Sequence, residues 1–228
     1  MLLNSCEPAG KSPRRPVRSG RNFNSAGYPS ADNGNVVDMQ NANGNLFLLA
    51  LGANTGPGPA DDAARLHAAL KRINAEAGQV TAISGMYRTP AFPQGAGPDF
   101  ANACAVIESS LSPEALLVVL HAIEAAMGRR RAGRWGQRVI DIDILAMDDA
   151  VLPDRATLRR WMALAPDDQR LLAPDTLLLP HPRLHERGFV LVPLADVAPS
   201  WVHPLTGQSV RTMLAAMDEA ERAAIIAL

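Results

Sequence analysis

The chain has 228 residues, which fits one folded domain with appendages, and 47% of them are apolar, enough for an ordinary core. A net charge of −1 argues against a protein that coats nucleic acid, and no apolar run approaches the roughly 20 residues of a membrane span. Its two cysteines, Cys6 in a tail-like stretch and Cys104 in a strand-like one, form neither a disulfide framework nor a zinc knuckle and fit a reducing, cytoplasmic setting.

Residues 1–45 are rich in Asn, Gly, Ser and Pro and short of apolar side chains, so a disordered tail is expected. Lys11 to Arg21 is basic, but neither an amphipathic helix nor a secretory apolar region accompanies it. A start assigned too far upstream is the preferred explanation, with Met39, shortly before the first strand, as the true first residue. Leu46 to Leu51 is a buried-strand run ending in a turn-rich loop, Gly52 to Pro59. The loop is no P-loop, because no Gly-Lys-Ser/Thr follows. Asp61 or Asp62 then opens a helix to about Ala75. Val80 to Arg88 reads as a second strand, and Thr89 to Pro98 as a Pro/Gly loop long enough to act as a lid. Phe100 to Glu108 reads as a third strand with Phe100, Asn102, Cys104 and Val106 on one face. Ser112-Pro113-Glu114 is a strong helix start, with Ser as N-cap and Pro at the first position; that helix runs to about Met127 and stops at Gly128.

The stretch from Gly128 to Leu145 carries the chemistry. Its first half is a glycine-punctuated loop holding five arginines (129, 130, 131, 134 and 138) and Trp135. Its second half is a strand in which Ile140, Ile142 and Ile144 alternate with Asp141 and Asp143. Carboxylates at i and i+2 stand roughly 6.5–7 Å apart along a strand, a spacing that serves one or two divalent ions. Guanidiniums offer planar forks to phosphate oxygens. An amphipathic strand with solvated aspartates beside a solvated basic loop is the plain alternative. The adjacency of acid pair and arginine loop favours a metal-assisted polyphosphate site.

Residues 148–176 read as a peripheral insertion with a helical patch from Ala156 to Leu164. Leu177 to Leu179 reads as a short strand, Pro180 to Arg183 as a turn, Arg187 to Leu194 as a short helix, and 208–227 as one or two helices. The domain thus spans 46–228. The order β-α-β-β-α-β followed by a helical tail predicts an α+β, ferredoxin-like core. Its sheet is mainly antiparallel, with two helices on one face and the C-terminal helices covering the other. Such a fold by itself implies no function.

Five motifs, in order, carry a resemblance: Leu51-Gly52-Ala53-Asn54; Tyr87-Arg88-Thr89-Pro90; Pro98-Asp99-Phe100-Ala101-Asn102; Gly128-Arg129 with Arg134-Trp135-Gly136-Gln137-Arg138-Val139-Ile140-Asp141-Ile142-Asp143; and Pro180-His181-Pro182 with Arg187-Gly188-Phe189. Over about 46–207 the chain resembles the 6-hydroxymethyl-7,8-dihydropterin pyrophosphokinases of the folate pathway. The resemblance implies transfer of diphosphate from ATP to the pterin hydroxymethyl group with release of AMP, and a cytoplasmic monomer is expected. It implies two Mg²⁺ ions on Asp141 and Asp143, with Arg129 and Arg138 as catalytic phosphate clamps. Arg134 and Trp135 close the loop, Ile140 lies beside the nucleotide, and His181 and Arg187 reach the triphosphate from the other side. The pterin, flat and rich in hydrogen-bonding edges, is expected between Phe100 and Phe189, with Asn102 on its pyrimidine edge and Thr89, Pro90 and Phe92 as wall.

No histidine is well placed to deprotonate the hydroxymethyl group, which leaves Asp143 or a metal-bound oxygen. His181 and His185 are four apart, but Pro182 and the lack of a third ligand argue against zinc. Glu124 is positioned to brace an arginine rather than to catalyse. The chain departs from some relatives in carrying Phe100 and Pro182 where those have tyrosines. Two other classes compete. A nucleotidyltransferase would leave AMP on its product. A ferredoxin-like module binding RNA through the arginine loop would show steep salt dependence and no need for Asp141 and Asp143.

Overall fold

The computed structural model describes residues 44–56, 58–91, 97–129, 139–165, 168 and 172–228. The core elements are β1 (Asn45–Ala53), α1 (Pro59–Glu76), β2 (Gln79–Ile83), β3 (Tyr87–Thr89), β4 (Phe100–Ser109), α2 (Pro113–Ala126) and β5 (Asp141–Met147). Then follow α3 (Arg155–Met162), α4 (Gly188–Val197), α5 (Val210–Ala215), α6 (Glu219–Ala223) and β6 (Ile226–Ala227). The strands form one sheet in the order β5-β1-β4-β3-β6, with β2 pairing β4 farther along, and each of these pairings is antiparallel.

β1 lies between β5 and β4 and is apolar on both sides because both sheet faces are covered over most of its length. Phe47, Leu49 and Leu51 join Leu66, Leu70 and Ile73 of α1 and Leu116, Leu120 and Ile123 of α2 in the first core. Leu46 and Leu48 turn the other way, to Cys104, Val106, and Val190, Leu191 and Leu194 of α4. Cys104 is fully buried, and its Sγ lies 3.6 Å from the carbonyl of Val190. The expected two-helix face and the expected C-terminal helical cover are therefore both present. Among the described residues no helix is long and apolar enough to cross a membrane.

Local chemistry explains the boundaries. Ser112 caps α2 by accepting the Ala115 N–H, as expected, and Gly128, at φ 93°, takes the left-handed turn that ends the helix. Asp154 caps α3 by accepting from Ala156 and Thr157. α1 begins at Pro59 rather than at Asp61 or Asp62, because proline suits the first helical position. Asp62 instead reaches back to accept the N–H groups of Thr55 and Gly56, fixing the loop after β1.

Five expectations need correction. The strand foreseen over 80–88 is split: Ser84 Oγ accepts the Cys104 N–H, and Gly85 donates its N–H to Asp196 of α4, so residues 84–86 leave the ladder and β3 starts afresh at Tyr87. Of Leu177–Leu179 only Leu179 pairs, in a single bridge to Leu152. The segment 208–227 is not wholly helical, since it ends in β6 alongside β3. β1 also runs past Leu51 to Ala53, carrying Gly52 into the sheet. Its start at Asn45 puts that residue in the domain rather than in the tail.

Candidate active site

The helices cover the second sheet face only in part, and a row of residues crosses its open end. Asp141 of β5 pairs with Gly52 of β1, Gly52 with Asn102 of β4, and Asn102 with Tyr87 of β3. Laterally paired residues project to the same face, and strands lie about 4.8 Å apart, so the carboxylate and amide ends of this row are separated by about 10 Å of backbone. The row is open in the middle because Gly52 has no side chain: a Cβ there would stand 2.9 Å from Asn102 Oδ1.

At the amide end Asn102 is 6% exposed, and its Nδ2 donates to Thr89 Oγ1 at 2.6 Å. This bond fixes the amide plane and leaves Oδ1 facing Gly52. Phe100, one step farther out and paired with Thr89, is half-buried, and Pro90 is exposed beside it. Phe189 comes from α4 and is 41% exposed, with the Arg187 guanidinium 5.6 Å over its ring. Tyr87 donates its hydroxyl to Asp196 at 2.8 Å. Burial, followed by that bond, raises the phenol pKa, so Tyr87 stays protonated.

At the acid end Asp141 and Asp143 are half-buried on one face of β5. Arg129 Nη1 is 2.7 Å from Asp141 Oδ1 and also contacts Glu124. Glu124, 1% exposed on α2, accepts the N–H of Ile142 at 2.7 Å and so satisfies a backbone donor of the edge strand. Burial pushes its carboxyl above the usual range, while the Ile142 N–H and the Arg129 charge pull it back. The expectation that Glu124 braces an arginine is met, and the arginine is Arg129.

Asp143 lines a cleft of about 420 Å³ with His181, Arg183 and Arg187, and Trp161, Leu172, Leu177 and Leu178 contribute apolar surface to the same cleft. A bulge in β5 brings His181 there. Leu145 has no register partner between Leu49↔Ile144 and Leu48↔Ala146, and its carbonyl accepts the His181 N–H at 2.7 Å. Nδ1 of His181 accepts the Arg183 N–H at 3.1 Å, which places the ring proton on Nε2. Burial, then the Arg187 and Arg183 charges, depresses its pKa to about 3. His181 is thus a neutral N–H donor at physiological pH. Burial also lowers the Arg187 pKa, and the charge of Asp143 opposes that shift.

The structure therefore brings Arg129, Asp141, Asp143, His181 and Arg187 to one side and Thr89, Asn102 and Phe100 to the other. Ile140 is fully buried in the first core, so only its backbone is available to a nucleotide. Phe92, Arg134, Trp135 and Arg138 lie outside the described residues. Sequence reasoning missed Gly52, Arg183 and Trp161. The first two had a signal, a glycine inside an apolar strand run and a basic residue directly after His-Pro; Trp161 had none, because only folding returns α3 to the cleft.

The sequence matches the family model for 7,8-dihydro-6-hydroxymethylpterin-pyrophosphokinase (HPPK) over residues 48–199. The chain belongs to this family. It is 41% identical to the 2-amino-4-hydroxy-6-hydroxymethyldihydropteridine pyrophosphokinase of Methylorubrum extorquens across 75% of this chain and 92% of that protein. The enzyme of the same name from a Synechocystis species is 36% identical, across 75% of each chain. Wild-type HPPK-DHPS of Plasmodium falciparum superposes with a TM-score of 0.53 at 16% identity, over 77% of this chain and 45% of that longer one, a likeness of fold. The ferredoxin-like core is thus that of HPPK domains, and the protein is a pyrophosphokinase, a transferase, of this family.

Proposed function

We propose that the protein transfers the diphosphate of ATP to the hydroxymethyl oxygen of 6-hydroxymethyl-7,8-dihydropterin in folate biosynthesis, as a cytoplasmic monomer that uses two Mg²⁺ ions. The observation that carries this reading is the continuity of one row: a carboxylate and arginine end, a glycine floor, and an amide end flanked by an aromatic ring. The first suits a triphosphate and the second a flat heterocycle.

The donor set fits Mg²⁺. Asp141 and Asp143 are hard oxygen ligands on one strand face, and among the described residues no group of three or more His, Cys, Asp and Glu side chains is placed to hold a metal. Mg²⁺ keeps several waters and takes the rest of its shell from one or two carboxylates and substrate phosphates. When bound, the ions supply charge neutralisation for the phosphates and for the oxygen that leaves with AMP.

The residues themselves bind and orient. His181, as a neutral N–H donor, and Arg187 line the cleft beside Asp143 and would donate to phosphate oxygens, while Arg183, whose guanidinium pairs with Glu186, adds positive charge at its rim. The apolar side chains of the cleft, Trp161 among them, take the nucleoside. Arg129 holds Asp141 until the nucleotide arrives and then shares its donors with phosphate. Arg138, Arg134 and Trp135 retain the clamp and loop-closing roles implied by the resemblance, and Phe92 its place in the pterin wall. Asn102 reads the pyrimidine edge of the pterin between Phe100 and Phe189. The hydroxymethyl oxygen attacks the β-phosphorus and the bond from that phosphorus to the α–β bridging oxygen breaks. AMP departs with the bridging oxygen, and the hydroxymethyl proton passes to Asp143 or to solvent.

A product assay tests this. With Mg²⁺, ATP and 6-hydroxymethyl-7,8-dihydropterin, pterin-dependent AMP and an equal amount of pterin diphosphate are expected. Pterin-dependent ADP would indicate a simple kinase, and pyrophosphate with AMP on the pterin a nucleotidyltransferase; either would replace the proposal.

A further inference from the structure

The family match ends at residue 199, yet the segment from Met217 to Leu228 returns to the site. It makes two separate attachments. The first is to the junction that opens α4. Glu221 Oε1 accepts the Gly188 N–H at 3.3 Å, and a Cβ built on Gly188 would stand 2.9 Å from both Met217 Sδ and Ile225 Cδ1. Gly188 lies between Arg187 and Phe189, so the segment packs against the one backbone unit that joins the phosphate-facing arginine to the exposed ring. The second attachment is to the edge of the sheet. Ile226 and Ala227 pair with Arg88 and Tyr87 of β3, and Leu228 donates its N–H to the carbonyl of Met86. β3 is only three residues long and carries Thr89, the hydroxyl that fixes Asn102.

We infer that residues 217–228 form a strap that positions both flanks of the pterin subsite, with Glu221 as its key positioning residue and Gly188 as the close approach that lets it seat. The inference rests on the pterin assignment given above. Two features set the strap apart from general structural support. α6, which carries Glu221, has no buried residue, so removing it exposes little core. The two attachments also end on two different elements, α4 beside Phe189 and β3 with Thr89, which the pterin assignment puts on opposite sides of one subsite. Asp141 and His181 at the acid end are held independently, by Arg129 with Glu124 and by the bulge carbonyl of Leu145, and Arg187 is itself anchored where its carbonyl accepts the first N–H groups of α4.

The test compares the full chain with a version ending at Ala216, and with Glu221→Ala and Glu221→Gln in the full chain. Steady-state kinetics varies pterin and ATP separately, and amide exchange is followed at Gly188 and in β3. Glu221→Ala and the truncation should raise KM for the pterin about threefold to tenfold, the effect of one lost hydrogen bond of ordinary strength, with KM for ATP within about twofold. Glu221→Gln keeps an acceptor oxygen and should restore most of the loss. Exchange at Gly188 should quicken in the truncated chain. A truncated chain that still unfolds cooperatively and keeps its pterin KM would overturn the strap, as would equal rises in both KM values. The two hypotheses fail differently: a full-length protein without pterin-dependent AMP formation removes the function, and unchanged exchange at Gly188 and β3 removes the strap whatever the activity.

Discussion

The two faces of the sheet are built from the same strands and do different work. On the first, α1 and α2 cover β1, β4 and β5, and the side chains are leucine, isoleucine, phenylalanine and alanine. On the second, α4 and α5 cover one part, and the strand ends beyond them carry Asp141, Asp143, Gly52, Asn102 and Tyr87. Adjacent residues of one strand serve both: Ile142 packs against helices while its neighbours face the cleft. The period of two thus lets a chain keep core and chemistry on the same seven residues. A substitution should therefore affect stability or turnover according to the parity of its position, and each prediction below either breaks or sharpens that separation.

The largest effect is expected from Asp141→Ala or Asp143→Ala. Turnover should fall about a thousandfold, the several kcal/mol that charge stabilisation at the phosphates supplies, with the thermal midpoint nearly unchanged. Wild-type turnover in either variant would remove the metal-ligand assignment. Leu120→Ala, on the opposite face, should do the reverse: a stability loss of about 2–5 kcal/mol by denaturant titration, with kcat/KM per folded molecule preserved. Gly52→Ala is an intermediate case. Its methyl would press on Asn102 Oδ1, so the buried amide must shift against its bond to Thr89. Stability should fall by about 1–2 kcal/mol while pterin affinity falls about tenfold, and an unaltered pterin KM would show that Asn102 does not read the ligand.

The smallest effect on turnover concerns pH. Burial holds His181 at a pKa of about 3 and His203 at about 4, both below the unfolded value of about 6.5. The unfolded chain therefore binds protons in this range that the native state refuses, and stability rises with pH. The contribution is complete above about pH 6.5 and is lost as the pH falls towards 4 and 3. Denaturant midpoints measured at pH 7, 5 and 4 should decline in that order, while kcat between pH 6 and 8 shows no step from His181. A titration of kcat that disappears in His181→Asn would contradict the neutral imidazole.

Much of this was legible in the sequence where one local rule decides the outcome. The apolar run of β1, the Ser112-Pro113 start of α2 and the alternation around Asp141 and Asp143 each need only propensity, capping or period. The misses arise where a distant group intervenes. The hydroxyl of Ser84 and the carboxylate of Asp196 break a strand whose own residues continue the pattern. Leu177–Leu179 is strand-like in composition, yet only Leu179 finds a partner, Leu152, across the 148–176 segment. β6 hides in an alanine-rich end because its pairing energy comes from β3. Of the candidate site, the structure gathers Asp141, Asp143 and His181 at one end of the row and sets Asn102 at the other, and that order across Gly52 depends on strand register, which no local pattern records.

Cys104 gives this architecture a clock. Its thiol is wholly buried beneath α4, contacts a carbonyl of that helix, and is held protonated by burial. An alkylating reagent can reach it only when α4 lifts from β4, so the labelling rate under native conditions counts those excursions directly. The same helix presents Phe189 and begins just after Arg187. The frequency of labelling at Cys104, separated from Cys6 by peptide mapping, thus measures how often one wall of the site comes away. Any small molecule that clamps that wall should lengthen the interval without touching the sulfur.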